Sequence, residues 1–233
     1  MAKTAKASRA AGPARRATAA RGRHAATPDR ETEARILDAA RAVFMRRGTS
    51  GARMQEIAKE AGVNQALLHY YFRSKERLSA AVFQQFASRL FPALIQALGS
   101  DATLEEKVER ILTLYLENLS QQPFLPGYMI SELHHHPERI QQLLEGIGVR
   151  PDAILQPLVA RLQQQIDTEI AAGRIRPITA QQLVASLISL AVFPFAARPM
   201  LSLIFRFDDA GFAEFIETRK RELPGFVLRG LRP

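Results

Sequence analysis

The sequence predicts an all-α fold. Apolar residues recur three and four positions apart through most of the 233 residues, and no alternating strand pattern runs beyond a few residues. Residues that start and stop helices bracket those periodic stretches.

Taken in order, the chain divides into three units. Residues 1–27 are Ala, Arg, Gly, Thr and Lys with almost nothing large and apolar, and are expected to be a disordered basic tail. Residues 28–78 are expected to form a small helical head. Thr27-Pro28-Asp29 supplies a capping hydroxyl, a proline at the first helical position and an acid in the first turn. Ile36, Leu37, Ala40, Val43 and Phe44 then repeat at helical spacing until Gly48 stops the helix. A second helix is expected over Arg53 to Glu60, with Met54, Ile57 and Ala58 inward. Gly62 permits a left-handed turn, Val63 plugs the core and Asn64 caps the third helix. Ser74 caps a fourth helix that starts at Lys75.

Residues 79–233 are expected to be a larger helical domain. The expected spans are 75–98, with Pro92 a kink or an end, then 103–120, 126–135, 138–146, 152–172, 179–193 and 209–222.

The formal charge of +9 is unevenly spread. Residues 1–28 carry seven Lys/Arg and no acid, residues 29–78 carry ten Lys/Arg against seven Asp/Glu, and residues 79–233 carry 15 against 16. A polyanionic partner at the N-terminal end is the simplest physical reason.

The helix, glycine turn and helix over residues 53–72 make a helix-turn-helix. At about 100° per residue, Leu68 and Phe72 fall within about 40° of each other and form the buried side. Gln65, Ala66, His69 and Tyr70 fan over the opposite side, with Tyr71 at the border. A glutamine reads base edges in a bidentate manner, an alanine leaves room for a thymine methyl, and histidine or tyrosine donates to phosphates. Adjacent aromatics cannot all point inward from one helix, so a pure core role for His69-Tyr70-Tyr71-Phe72 is disfavoured.

These residues carry a resemblance. Ile36-Leu-Asp-Ala-Ala40, Phe44, Gly48, Met54-Gln-Glu-Ile-Ala-Lys-Glu-Ala-Gly-Val63 and the Tyr70-Tyr-Phe72, Ser74-Lys-Glu76, Leu78 ending resemble the N-terminal domain of TetR/AcrR-family transcriptional regulators. The resemblance implies a homodimeric DNA-binding repressor. A variable C-terminal domain would bind an unknown small-molecule effector, here expected to be largely apolar, and release a palindromic double-stranded DNA operator. By position, it implies DNA contacts from Arg53, Gln55, Asn64, Gln65, Ala66, Leu67, His69, Tyr70, Tyr71 and Lys75. His69 replaces the family's usual leading tyrosine, Leu67 a usually small residue, and Ala52 a frequent capping hydroxyl.

In the C-terminal domain, Leu183, Val184, Leu187, Ile188, Leu190, Ala191 and Val192 cover nearly every side of one helix. A second subunit would supply the missing wall, so Leu183, Leu187, Leu190, Phe212 and Phe215 are the expected dimer contacts. A central helix within one protomer is the alternative. Phe91, Tyr115, Phe124, Tyr128, Glu132 and Phe193 are the candidate effector contacts, with Glu132 or Arg198 orienting a polar group.

Other classes are disfavoured. There is no cysteine, G-x-G-x-x-G, P-loop or H-E-x-x-H, so an enzyme, a metal centre and a cofactor are not expected. Consecutive His134-His135-His136 point about 100° apart on a helix and cannot converge on one ion. The uncharged stretch 178–197 carries several polar residues and Pro194, so it reads as a buried helix rather than a membrane span, and the chain as cytoplasmic. A helical protein–protein adaptor is the alternative function, and it leaves the helix-turn-helix unexplained.

Overall fold

The computed structural model describes residues 28–135, 141 and 144–233, and every regular element among them is helical. The basic tail and Thr27 lie outside the described residues, as does much of the helix expected over 138–146.

Three helices build the head. α1 (Pro28–Gly51) is broken at Gly48, whose φ of 66° and ψ of 171° leave helical space for one residue before a last turn. α2 (Met54–Glu60) starts from Arg53 in extended conformation, and no side chain caps it. The chain then turns through Gly62 at φ 65°. α3 (Gln65–Tyr71) is capped as expected, the Asn64 Oδ1 accepting from the Leu67 amide at 2.7 Å. Ser74 caps α4 (Lys75–Gly99) by accepting from the Arg77 amide at 3.3 Å, and α4 runs through Pro92 without ending. Its 25 residues carry the chain out of the head and into the body, so the two share one helix.

The body forms around α5 (Leu104–Gln121), which packs on α4, α8 and α10 and buries Leu112 and Leu116 completely. Each such leucine contributes about 1.5–3 kcal/mol of burial. A capping box fixes its start. Thr103 Oγ1 accepts from the Glu106 amide at 3.2 Å while Glu106 Oε2 accepts from the Thr103 amide at 2.8 Å. Those bonds to Thr103 hold the Glu106 carboxyl below its ordinary range. α6 (Leu125–His135) follows; a π-helical turn (Pro151–Leu155) then leads into α7 (Gln156–Ala171).

Prolines give the last third its shape. α8 (Ala180–Ala196) includes Pro194, which has no amide to offer the Leu190 carbonyl one turn earlier. Arg219 of α10 supplies that bond instead, from Nε at 3.2 Å and Nη2 at 2.8 Å. The chain then bends by 69° into a short helix that the sequence did not signal, α9 (Arg198–Phe205). α10 (Asp209–Leu231) passes through Pro224 and runs nine residues beyond the expected end at 222. Arg176 fastens its last turn, its Nε donating to the Gly230 carbonyl at 2.6 Å.

The inward stripes of α8 and α10 are covered within the single protomer. Leu183, Leu187 and Phe212 are 2%, 2% and 4% exposed within the single protomer, packed on its own core. Leu190 and Phe215 are partly buried against the same core. This corrects the assignment of Leu183, Leu187 and Phe212 as dimer contacts, because α5 and α6 supply the wall that a second subunit was expected to give. What remains open to solvent on α8, α10 and the short α9 between them includes a different set: Ile188, Phe193, Leu203, Ile204, Phe205 and Phe226, with Leu203 82% exposed.

Candidate nucleic-acid interface

The head is a small core with one helix turned outward. Ile36, Val43, Phe44, Ile57 and Leu68 are fully buried, and Phe72 nearly so. Leu68 and Phe72 therefore pin α3 by one side, one turn apart. The arc opposite is solvent-facing: Gln65, Ala66, His69 and Tyr70 are exposed, Tyr70 by 77%, and Leu67 is half-buried.

Tyr71 has a different job from its neighbour. Its hydroxyl donates to Asp29 Oδ1 at 2.8 Å, tying the end of α3 to the first turn of α1. That hydrogen bond raises the Tyr71 phenol above its ordinary 10.0, with desolvation and the Asp29 charge acting the same way. The Tyr70 ring stands edge-on to it, centroids 5.4 Å apart, so the fixed ring braces the exposed one. His69 Nδ1 lies 3.3 Å from the Arg73 carbonyl oxygen, which leaves Nε2 on the solvent side.

Lys75 is also engaged internally. Its Nζ donates to the Ser50 carbonyl at 3.0 Å and the Ala52 carbonyl at 3.3 Å, filling acceptors that the end of α1 leaves open. Arg46–Glu60 at 2.8 Å and Arg47–Glu56 at 3.5 Å hold α2 against α1 from outside, exposed pairs worth little individually. Arg53 and Gln55 are exposed at the start of α2. Arg53, Arg73 and Arg77 are exposed and form no ion pair with any described residue. Arg73 and Arg77 were not among the expected contacts. The basic run after the aromatic cluster was their only sequence signal.

The arrangement can seat a rigid, partly aromatic helix in a DNA groove, with free guanidinium groups beside it for phosphates. No group of His, Asp or Glu suited to a metal ion occurs among the described residues. No single described helix is long and apolar enough to cross a membrane.

Phe124 and Tyr128 line a cleft between head and body. Phe91 and Tyr115 are partly buried against the core, and burial pushes the Tyr115 phenol up to about 12. Phe193 is 53% exposed, and the Glu132 side chain lies outside the described residues.

Residues 36–82 match the family model described as "Bacterial regulatory proteins, tetR family". The HTH-type transcriptional repressor SCO4008 of Streptomyces coelicolor is 31% identical over 146 residues, 57% of this chain and 74% of that protein. The HTH-type transcriptional regulator BetI of Rhizobium meliloti is 38% identical over 77 residues, covering 33% of this chain and 38% of that protein. Among solved structures, the ketosteroid transcriptional regulator KstR2 of Mycobacterium tuberculosis shares the fold, with a TM-score of 0.59 at 16% identity over 86% of this chain and 95% of that one.

Proposed function

This chain belongs to the TetR family of DNA-binding transcriptional regulators, and from that we propose that it is a ligand-released repressor that grips a palindromic operator as a homodimer. The observation that carries the reading is the presentation of α3. Leu68 and Phe72 bury one side, Asn64 caps the start, and Gln65, Ala66, His69 and Tyr70 are left as an exposed arc. Gln65 reads a base edge, while His69, Tyr70 and the free Arg53 and Arg73 position the helix on phosphates. Lys75 orders the joint before α2 and adds a phosphate contact from its remaining proton.

A second copy is the occupant proposed for the exposed apolar side chains of α8, α9 and α10: Ile188, Phe193, Leu203, Ile204, Phe205 and Phe226. Six large apolar side chains open to water on three consecutive helices make a surface that a monomer rarely leaves uncovered. Two-fold pairing there would duplicate the heads and demand two half-sites about one helical turn, or a multiple of it, apart. Footprinting of the full chain on the DNA upstream of its own gene tests the reading. Two protected half-sites related by a dyad are expected. Uniform protection at all sequences would reject it.

A further inference from the structure

Between head and body runs a cleft of about 660 Å³, continuous through Met45, Pro123, Phe195 and Arg198 with a second of about 750 Å³. Its walls come from the two parts whose relative position would set where α3 points. Met45 belongs to α1 and Lys75 to the start of α4, while Phe124 and Tyr128 belong to the entry of α6, and Phe195 and Arg198 to the bend between α8 and α9. The Phe44 and Phe124 rings, 5.7 Å apart, join head and body at its edge.

We propose that this cleft is the effector site and that it takes an amphipathic organic anion, an aromatic or aliphatic carboxylate or sulfonate, with its charge on Arg198. The proposal rests on the ligand-released reading above and names the site and chemistry of that ligand.

The Arg198 guanidinium lies 4.6 Å from the centroid of the Phe212 ring and donates from Nη2 to Asp209 Oδ1 at 2.7 Å. Its other donors have no partner among the described residues. The Asp209 side chain is fully exposed, at 102%, so this ion pair is weakly held and readily exchanged for a ligand's anionic group. A planar guanidinium stacked on a ring suits a carboxylate or sulfonate better than any neutral group does. Phe124, Tyr128, Phe195 and Met45 supply the apolar surface for the rest of the molecule, and the volume fits a drug-sized ligand.

The position explains the regulation. A body wedged between Met45 and Arg198 separates α1 from the bend between α8 and α9. Gly48, already out of helical conformation on the same wall, is where α1 would yield. Lys75 lines the cleft while bonding the Ser50 and Ala52 carbonyls, so an anion drawing it inward would loosen the joint before α2.

The test titrates the full chain with anilinonaphthalene sulfonate, a fluorescent aromatic anion, and with uncharged phenylnaphthylamine. Wild-type protein should bind one sulfonate dye per protomer in the cleft and release bound DNA as it fills. Arg198→Gln should weaken the sulfonate about tenfold or more and the uncharged dye little, with Arg198→Lys restoring part of the loss. Met45→Trp, filling the cleft from an exposed position on the other wall, should weaken both dyes. Arg110→Gln, an exposed arginine outside the cleft, should leave the sulfonate affinity unchanged. Circular dichroism confirms that each variant is folded. Wild-type affinity in folded Arg198→Gln and Met45→Trp, or an equal loss in Arg110→Gln, would overturn the site. Dye bound in the cleft with DNA still held would overturn the effector role. Failure of the ligand-free protein to bind any DNA would instead reject the regulator reading, while the dye titration on protein alone still decides the cleft.

Discussion

The Tyr71 hydroxyl donates to Asp29 Oδ1 at 2.8 Å, across 42 residues of sequence. It joins the last turn of the helix that faces outward to the first turn of the chain's first described helix. The angle of α3 is thus set by a polar tie at one end and by the buried Leu68 and Phe72 along its side.

The tie gives a pH dependence with a definite sign. The phenol is raised above its ordinary 10.0 because its proton is held by Asp29. The protonated form is favoured by folding, so the contribution is present below the unfolded value and is lost as pH rises through the folded one. Melting temperature should therefore fall more steeply above about pH 10 in wild type than in Tyr71→Phe. Parallel wild-type and Tyr71→Phe curves would show that the tie does not couple to folding.

Removing the cap at Asn64 should loosen the same helix from its other end. Asn64→Ala leaves the Leu67 amide without its acceptor and should cost about 1 kcal/mol in urea denaturation. Asn64→Ser should recover most of it. A loss in both variants alike would assign Asn64 some role other than capping.

Arg219, half-buried between α8 and α10, should matter for the body's stability. It donates twice to the Leu190 carbonyl that Pro194 leaves open, so Arg219→Met should destabilise the body by about 1–3 kcal/mol. Pro194→Ala restores an amide one turn after Leu190 and should shrink that cost in the double variant. Equal costs with and without Pro194 would contradict the pairing.

Oligomerisation should respond to the exposed patch and not to the buried stripe. Leu203→Glu should give folded monomers by sedimentation, since Leu203 is 82% exposed in the protomer. Leu187→Arg buries an unpaired charge in the protomer's own core and should unfold it instead. A folded monomer from Leu187→Arg, or an unaltered dimer from Leu203→Glu, would move the interface elsewhere.

The head was readable from sequence because its signals are local. The caps at Asn64 and Ser74, the left-handed Gly62 and the spacing of Leu68 and Phe72 each act within one turn, and the structure shows all of them. Tyr71 was placed at the border of the outward arc, but its partner is 42 residues away and no periodicity reports that. Lys75 likewise turned inward to two carbonyls of a loop whose geometry the sequence does not give. In the body, Pro224 hid the continuation of the last helix, and the bend after Pro194 hid α9. The stripe around Leu187 was read as needing a second subunit, because periodicity shows that a face is apolar and not which neighbour covers it.

The central claim is that the exposed arc of α3 reads DNA, and Gln65 tests it most directly. The measurement is fluorescence anisotropy of wild-type and folded Gln65→Ala protein, titrated at one fixed salt concentration. The two duplexes are the upstream site found by footprinting and its scrambled counterpart. Wild type should prefer the site by about a thousandfold or more. Gln65→Ala should lose about 1–3 kcal/mol on the site and almost nothing on the scrambled duplex. Equal binding of the site by both proteins, or no preference by wild type, would contradict the account.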